Sequence, residues 1–200
     1  MKRTSPISEL ERIFAIRKEL PLLLRGTFTR HIINIFKTPF LPTLNPEGGF
    51  LFYAIPETFD RLGIKINREE NRTRDYNFIY GLCKTWAGIH TDFYEAERLG
   101  GITLEQLPAF NAMRKKMKGS IIGFNPQISE LKLFPEYSGK GQLITTSEPV
   151  ELRCSGGIPL RYISFIEPLG ELDKSLLLEE YERAIGHKLT PEELARTSLK

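Results

Sequence analysis

The chain has 200 residues and a net charge of +3, and hydrophobic residues make up 40% and charged residues 26% of it. These are ordinary values for a globular protein, so they argue against a disordered chain, and the small net charge does not require a nucleic-acid partner. No apolar run approaches the length of a transmembrane span, and the charged N-terminus lacks the apolar core of a secretory signal. The two cysteines, Cys83 and Cys154, therefore predict free thiols in a reducing compartment and a protein that is not secreted.

The two ends of the chain differ in charge. Residues 1–40 contain eight Lys or Arg and three Glu, whereas residues 167–200 contain eight Asp or Glu and five Lys or Arg. This asymmetry has three interpretations: the two ends lie near each other, the basic end faces an anionic surface such as RNA or a membrane, or both ends are simply solvated faces.

The first forty residues predict two consecutive helices. Ser8 and Glu11 form a capping box, so a first helix is expected to run to about residue 18 or 19. Apolar residues spaced by three and four from Leu20 to Phe36 predict a second, amphipathic helix with Pro21 in its first turn. Its polar face is basic and carries Arg25, Arg30, His31, Asn34 and Lys37. Such a helix is also suited to lie in a membrane interface.

The middle of the chain predicts two further helices. Apolar spacing indicates a helix over 76–86 that continues over 92–99, where two glycines stop it. A capping box at 103–106 starts another helix, which is expected to run to about Lys118. We interpret Trp86, the sole tryptophan, as a core anchor of the first of these helices.

Basic residues cluster near the end of the helix that starts at 103–106. The cluster consists of Arg114, Lys115 and Lys116. Cations at this position complement the negative end of the helix dipole, and they are equally suited to contact RNA or phosphate.

From residue 119 to 168, short apolar runs separated by Gly and Pro predict a small antiparallel sheet. The predicted strands are 120–124, 130–134, 142–145, 150–153 and 161–166. A helix over 172–185 follows, with Gly186 as its stop, and Thr190 with Pro191 starts a last short helix. The predicted fold is α+β and mostly helical, with an N-terminal helical segment over 1–45 packed against a single α+β domain over 46–200.

The sequence contains no motif that predicts catalysis. The three histidines lie in separate segments, and no His or Cys pair has the spacing of a zinc site. Cys83 and His90 would form a thiol nucleophile and base only if the fold joined them, and a buried structural cysteine is the simpler interpretation. We therefore expect a protein that is not an enzyme and that needs neither a metal nor a cofactor.

A short motif near the N-terminus resembles the minimal F-box of the polerovirus silencing suppressors, the viral P-zero family. It consists of Leu20 and Pro21, two further residues, Leu24 and a downstream proline, for which Pro39 is the best candidate. The interval between Leu24 and Pro39 is slightly longer than the gap usual in that family. Three later segments also resemble family sequences, namely 39–45, 81–90 and 183–186.

The resemblance implies a viral suppressor of host RNA silencing in a plant cell. An F-box-like segment over 1–45 would recruit the Skp-type adaptor of a cullin ubiquitin ligase, and the remaining chain would select Argonaute for degradation in the cytoplasm or at endomembranes. Leu20 and Leu24 would fill an apolar pocket of the adaptor, Pro21 would direct the helix, and Pro39 would close the motif. Apart from the resemblance, Trp beside Gly can act as an Argonaute hook. Trp86 with Gly88, separated here by Ala87, is therefore a secondary interaction site in the alternative to the core-anchor interpretation.

Two other functions stay open from the sequence. The basic faces of the 20–36 helix and of the segment 114–118 are compatible with a suppressor that sequesters small RNAs. The chain is also compatible with a structural viral protein that takes no part in silencing.

Overall fold

The computed structural model describes residues 6–16, 19–43, 50–58, 61, 75–125, 133–135, 151–154 and 157–200. It confirms the α+β class, and helices hold more of these residues than strands do. The helices are α1 (Pro6–Phe14), α2 (Thr29–Ile32), α3 (Tyr76–Arg98), α4 (Leu107–Lys116), α5 (Glu171–Ile185) and α6 (Pro191–Leu194). Short 3-10 helices occur at Ile33–Phe36, Pro56–Thr58 and Leu160–Tyr162.

The strands form one large antiparallel sheet and one small one. They are β1 (Leu23–Thr27), β2 (Phe40–Leu41), β3 (Phe50–Ala54), β4 (Ser120–Phe124), β5 (Leu133–Pro135), β6 (Glu151–Cys154), β7 (Ile158–Pro159) and β8 (Ile163–Pro168). The large sheet has six strands in the order β5-β6-β3-β1-β4-β8, and β2 pairs with β7 in the small sheet. The predicted strand at 142–145 lies outside the described residues.

The predicted helix over 20–36 is wrong in its first half, because Leu23–Thr27 is strand β1. Both faces of the sheet are covered at the start of β1, so the successive residues Leu23 and Leu24 are both buried. A strand buried on both faces is a continuous apolar run, which periodicity alone cannot distinguish from a helix. Only the end of this segment is helical, as α2 and the 3-10 helix that follows it. The predicted N-terminal helix pair is thus reduced to α1 and a short α2.

Strand β1 also makes the sheet larger than predicted. It pairs with β3 on one side and with β4 on the other, so the sheet extends beyond the predicted range of 119–168. The predicted domain boundary at residue 45 falls in 44–49, which lies outside the described residues, and the division into two domains stays a prediction.

Helices cover both faces of the large sheet. On one face, α1 and α5 pack against β8, and their apolar residues share a core cluster with Leu23 and Phe124. On the other face, α3 packs on β1, and Ile79 and Cys83 of this helix join Leu24 in a second cluster. The two neighbouring leucines of β1 therefore belong to different cores.

Several predicted elements are confirmed by their caps. Gly186 ends α5 with a φ of +83°, and the Thr190 hydroxyl accepts a hydrogen bond from the backbone of Glu193 at the start of α6.

Two predicted helix boundaries are wrong. The capping box at 103–106 forms, but its residues make a turn, and α4 begins only at Leu107. Helix α1 ends at Phe14, earlier than predicted.

A buried carboxylate joins three parts of the fold. Asp173 of α5 is fully buried, and its Oδ1 accepts a hydrogen bond of 2.5 Å from the hydroxyl of Thr29. Its Oδ2 accepts from the backbone N–H groups of Lys118, Gly119 and Gly170 at 2.6, 3.0 and 3.1 Å. These bonds fix the start of α5 against α2 and against the link between α4 and β4.

Candidate functional site

The first half of the F-box-like motif lies where the chain enters β1. Leu20 is 37% exposed, whereas Pro21 and Leu22 are buried. The backbone N–H of Leu22 donates to the carbonyl of Phe124 at 3.0 Å and to Oδ1 of Asn125 at 2.8 Å. The residue that follows the Leu-Pro pair is therefore fixed to the end of β4, just before β1 begins.

The closing proline lies at the start of the small sheet. Pro39 is exposed, and its carbonyl accepts a hydrogen bond of 3.2 Å from the N–H of Leu160. The next residues, Phe40 and Leu41, form β2, which pairs with Pro159 and Ile158 of β7.

A path of hydrogen bonds and one short stretch of chain runs from Leu22, next to Pro21, to Pro39. Asn125, which contacts Leu22 through its side chain, donates its backbone N–H to the carbonyl of Tyr162 at 2.8 Å. Tyr162 and Leu160 belong to the same 3-10 turn, and Leu160 in turn bonds to Pro39. The path thus runs from Leu22, the residue after Pro21, to Pro39. We call Leu20, Pro21 and Pro39 the motif edge.

Leu24 is separate from the motif edge. It is fully buried in the cluster beneath α3, where it packs with Ile79 and Cys83. A partner can reach this side chain only if β1 leaves the sheet. The docking role of Leu24 stays a prediction, and it requires this rearrangement.

Arg25 and two histidines lie close together near the contact between β1 and α3. Burial lowers the pKa of Arg25 to about 10, an effect that Tyr53, Tyr94 and Cys83 oppose. Burial also lowers the pKa of His90, and the charge of Arg25 lowers it further. The positive charge of Arg25 therefore disfavours protonation of His90.

His31 is held as a neutral ring in the same region. Its Nε2 lies 2.6 Å from the carbonyl of Pro42, and its Nδ1 lies 3.4 Å from the hydroxyl of Thr27. Burial lowers the pKa of His31 to about 4. The neutral tautomer fits these contacts, because Nε2–H can donate to Pro42 while Nδ1 accepts from Thr27.

Cys83 has the environment of a structural cysteine. It is fully buried, and burial raises the pKa of its thiol to about 12. A nucleophilic cysteine needs a lowered pKa and access to solvent, so Cys83 and His90 do not make an activated thiol pair in this conformation. Among the described residues, no group of three His, Cys, Asp or Glu side chains could hold a metal ion.

The basic face predicted for the 20–36 helix does not form. Arg25 lies in β1 and reaches the contact with α3, and Arg30 pairs through Nε with Oε1 of the buried Glu95 at 2.6 Å. Arg98 binds the other oxygen of Glu95 at 2.9 Å. Arg30 and Lys37 stay exposed, but the predicted residues are divided among a strand, a helix and a turn and so do not form one helical face.

Trp86 is 38% exposed, so its interpretation as a core anchor is wrong. The side of α3 that meets the sheet carries smaller residues, and Trp86 lies on a different side, where exposed apolar residues recur along the helix. These residues are Phe78, Trp86, Ile89 and Phe93. Gly88 is partly buried, and a methyl group at its Cα would meet no atom within 4 Å.

The basic triplet at the end of α4 is exposed as a whole. Arg114 donates from Nε to Oδ1 of Asp92 at 2.7 Å, and its guanidinium lies 6.0 Å from the ring centre of Phe110. The triplet therefore offers Lys115 and Lys116 to an anionic partner, while Arg114 ties α4 to α3.

The sequence interpretation missed two exposed aromatic residues. Phe93 continues the apolar residues of α3, and its spacing of seven from Trp86 was a readable signal of a second apolar face. Phe40 follows the closing proline, but only the pairing of β2 with β7 shows that its side chain stays outside.

Within the described part of the chain, every helix is too short or too polar to cross a membrane. The chain matches no protein-family model, and it has no significant match to a curated protein or to a solved structure.

Proposed function

We propose that this protein is a non-enzymatic viral suppressor of RNA silencing that brings a host ubiquitin ligase to Argonaute. In this mechanism the motif edge docks on a Skp-type adaptor, and a second surface of the chain selects Argonaute. Joining two binding surfaces in one small protein raises the effective concentration of the ligase at its target, without any catalytic group in the adaptor itself.

The observation that carries the proposal is the hydrogen-bond path of the motif edge. The path through Asn125 and Leu160 runs from Leu22, two residues after Leu20, to Pro39. Leu20 and Pro39 are both exposed. A two-part sequence motif acts as one docking surface only if the fold brings its parts together, and the bonds between Leu22 and Pro39 support this proposal.

The proposed docking differs from that of a helical F-box. The Leu-Pro pair precedes a strand, so Leu20 would contact the adaptor from the non-helical segment before β1, with Pro21 fixing its direction. Leu24 would act from inside, by holding β1 in the sheet.

Binding of a purified plant Skp-type adaptor tests the proposal. We expect the wild-type protein to bind, and we expect Leu20→Ala and Pro39→Ala each to weaken binding at least tenfold, as truncation of an anchor residue does. Leu104→Ala is the matched control, because Leu104 is 88% exposed and lies in the turn before α4. Circular dichroism of each variant separates lost docking from lost folding.

A wild-type protein that does not bind the adaptor would contradict the proposal. The same preparations should be titrated with a small RNA duplex at several salt concentrations. Tight, strongly salt-dependent binding, lost on Lys115→Glu and Lys116→Glu, would favour sequestration of RNA instead.

A further inference from the structure

The side of α3 that does not meet the sheet is apolar and exposed. We call it the outer face of α3, and it consists of Phe78, Leu82, Trp86, Ile89 and Phe93. Leu82 is partly buried, and the exposed fractions of the other four side chains run from 38% at Trp86 to 62% at Phe93. A surface helix ordinarily has a polar outer side, so this apolar one marks an interaction surface.

The outer face carries no charge. Between Tyr76 and Thr91 the only charged residue is Lys84, and its spacing of two from Trp86 places it on another side of the helix. A helix that lies on an anionic membrane carries Lys and Arg along the borders of its apolar side, and this stretch has one lysine. A second copy of the same face meets it without repulsion between like charges, because neither copy brings a charge to the contact.

The outer face is also symmetrical along the helix. Phe78 and Phe93 lie at its two ends, and Leu82 and Ile89 each lie four residues inside the nearer end. The midpoint of this pattern lies next to Trp86. An antiparallel pair of α3 helices with a twofold axis at the midpoint places Phe78 of each copy opposite Phe93 of the other. The same axis places Leu82 opposite Ile89, so the face is complementary to itself.

Two of the exposed rings are restrained by neighbouring rings. The ring centre of Trp86 lies 5.7 Å from that of His90, and the ring of Phe93 meets that of Tyr94 edge to face at 5.1 Å. Tyr94 in turn stacks on Phe28 at 4.2 Å. Rings that are already restrained lose less entropy on binding, which suits them as anchors of an interface.

The exposed apolar area matches what a dimer interface needs. A large aromatic side chain offers about 150–250 Å², so the exposed fractions of the outer face leave roughly 400 Å² of apolar surface on each copy. A standard interface buries about 800 Å² per partner, of which a little over half is non-polar. The outer face thus supplies nearly all of the non-polar area that each copy would bury, and the residues around it would form the polar rim.

We propose that the outer face of α3 is a homodimer interface, in which two copies of the chain pack α3 against α3 in antiparallel orientation about a twofold axis next to Trp86. This inference goes beyond the proposed function and does not depend on it. The outer face shares no residue with the motif edge, so a dimer would present two motif edges.

Sedimentation of the full chain over a range of concentrations tests the proposal. We expect the wild-type protein to reach the mass of two chains of 23.0 kDa. Phe78→Lys and Phe93→Glu should each weaken self-association at least about tenfold, because each places a charge in the apolar contact. Leu172→Glu is the matched control, since Leu172 lies on α5 and is about as exposed as Phe78, and it should change self-association less than about threefold.

A mixture of Phe78→Lys and Phe93→Glu tests the antiparallel arrangement itself. In a mixed dimer, the introduced lysine of one chain faces the introduced glutamate of the other, and the second contact between Phe78 and Phe93 stays intact. We therefore expect the mixture to regain self-association within about threefold of the wild-type protein. If both variants fold by circular dichroism and the mixture regains nothing, the proposed pair is overturned.

The remaining outcomes also decide the inference. A wild-type protein that stays monomeric up to about 100 µM overturns it, and so does a dimer that both folded variants leave unchanged. If a charged variant does not fold, Phe93→Ala replaces it, and it should still weaken self-association about tenfold. Flotation with vesicles of phosphatidylcholine and phosphatidylserine tests the other occupant. A monomer whose vesicle binding is lost on Phe93→Glu would assign the outer face to a membrane and overturn the inference.

Discussion

Gly26 of β1 lies directly against the backbone of Cys83 in α3. A Cβ atom at Gly26 would lie 1.8 Å from the Cys83 carbonyl oxygen and 2.8 Å from the backbone N of Ala87. Strand and helix therefore touch main chain to main chain, and this close approach holds Arg25 and His90 beside each other. Neither backbone can give way as a flexible side chain would.

We expect Gly26→Ala to lower the free energy of unfolding by about 3 kcal/mol or more, or to prevent folding, because the methyl group must push α3 off the sheet. Gly81→Ala is the matched control on α3, where an added methyl group meets no atom within 4 Å. Gly81→Ala should raise the free energy of unfolding by roughly 0.5–1 kcal/mol, because alanine favours a helix more than glycine does. Urea unfolding followed by circular dichroism measures both, and equal stability of the two variants would refute the close contact.

Two leucines of the same motif should behave differently on truncation. Leu24→Ala removes a fully buried side chain and should cost about 2–5 kcal/mol of stability. Leu20→Ala removes a partly exposed side chain and should cost less than about 1 kcal/mol. Thermal and urea unfolding of the two variants check this difference. A stable Leu24→Ala would mean that β1 is not a core strand, and it would restore the helical F-box interpretation.

Stability should fall as the pH drops below neutral because of His31. Its folded pKa of about 4 lies below the ordinary value of 6.5, so between these values the unfolded chain binds more protons than the folded one. The protein should therefore lose roughly 2 kcal/mol between pH 7 and pH 5, and His90 adds to the loss in the same direction.

His31→Gln is the control for this pH dependence. Its amide nitrogen can replace Nε2 as a donor to Pro42 without titrating. Urea midpoints at both pH values should then differ less than in the wild-type protein. An unchanged difference would assign the dependence to other groups.

The Cys83 thiol should resist alkylation in the folded protein. The thiol is buried between α3, to which Cys83 belongs, and the sheet, and its raised pKa leaves almost no thiolate at neutral pH. We expect no labelling of Cys83 by iodoacetamide at pH 8 in buffer and complete labelling in 8 M urea, with mass spectrometry identifying the modified residue. Rapid labelling without urea would show that α3 opens readily from β1.

Helix ends that are set by contacts between residues close in sequence could be predicted from the sequence. Gly186 stops α5 and Thr190 starts α6 through contacts within a few residues, so the printed sequence contains the whole signal. Strand β1 could not be predicted in this way. Its leucines fit a helical spacing, and they become strand residues because β3 and β4, from distant parts of the chain, pair with them.

The motif edge was only partly predictable for the same reason. The resemblance placed Leu20 and Pro39 in one motif, but the bonds that run from Leu22 to Pro39 pass through Asn125 and Leu160, which belong to other segments. Trp86 illustrates the opposite error, because α3 has apolar residues on two sides, and the position of the sheet decides which side is covered.

The central place of β1 also affects how the protein is made. Leu23–Thr27 leaves the ribosome early, but its partner in the middle of the sheet, Ser120–Phe124, is synthesised much later. At a translation rate of about 5–20 residues per second, the nascent strand waits roughly 5–20 s for that partner. During this interval the leucine run that the finished sheet conceals is open to chaperones and to any host protein that binds extended apolar segments.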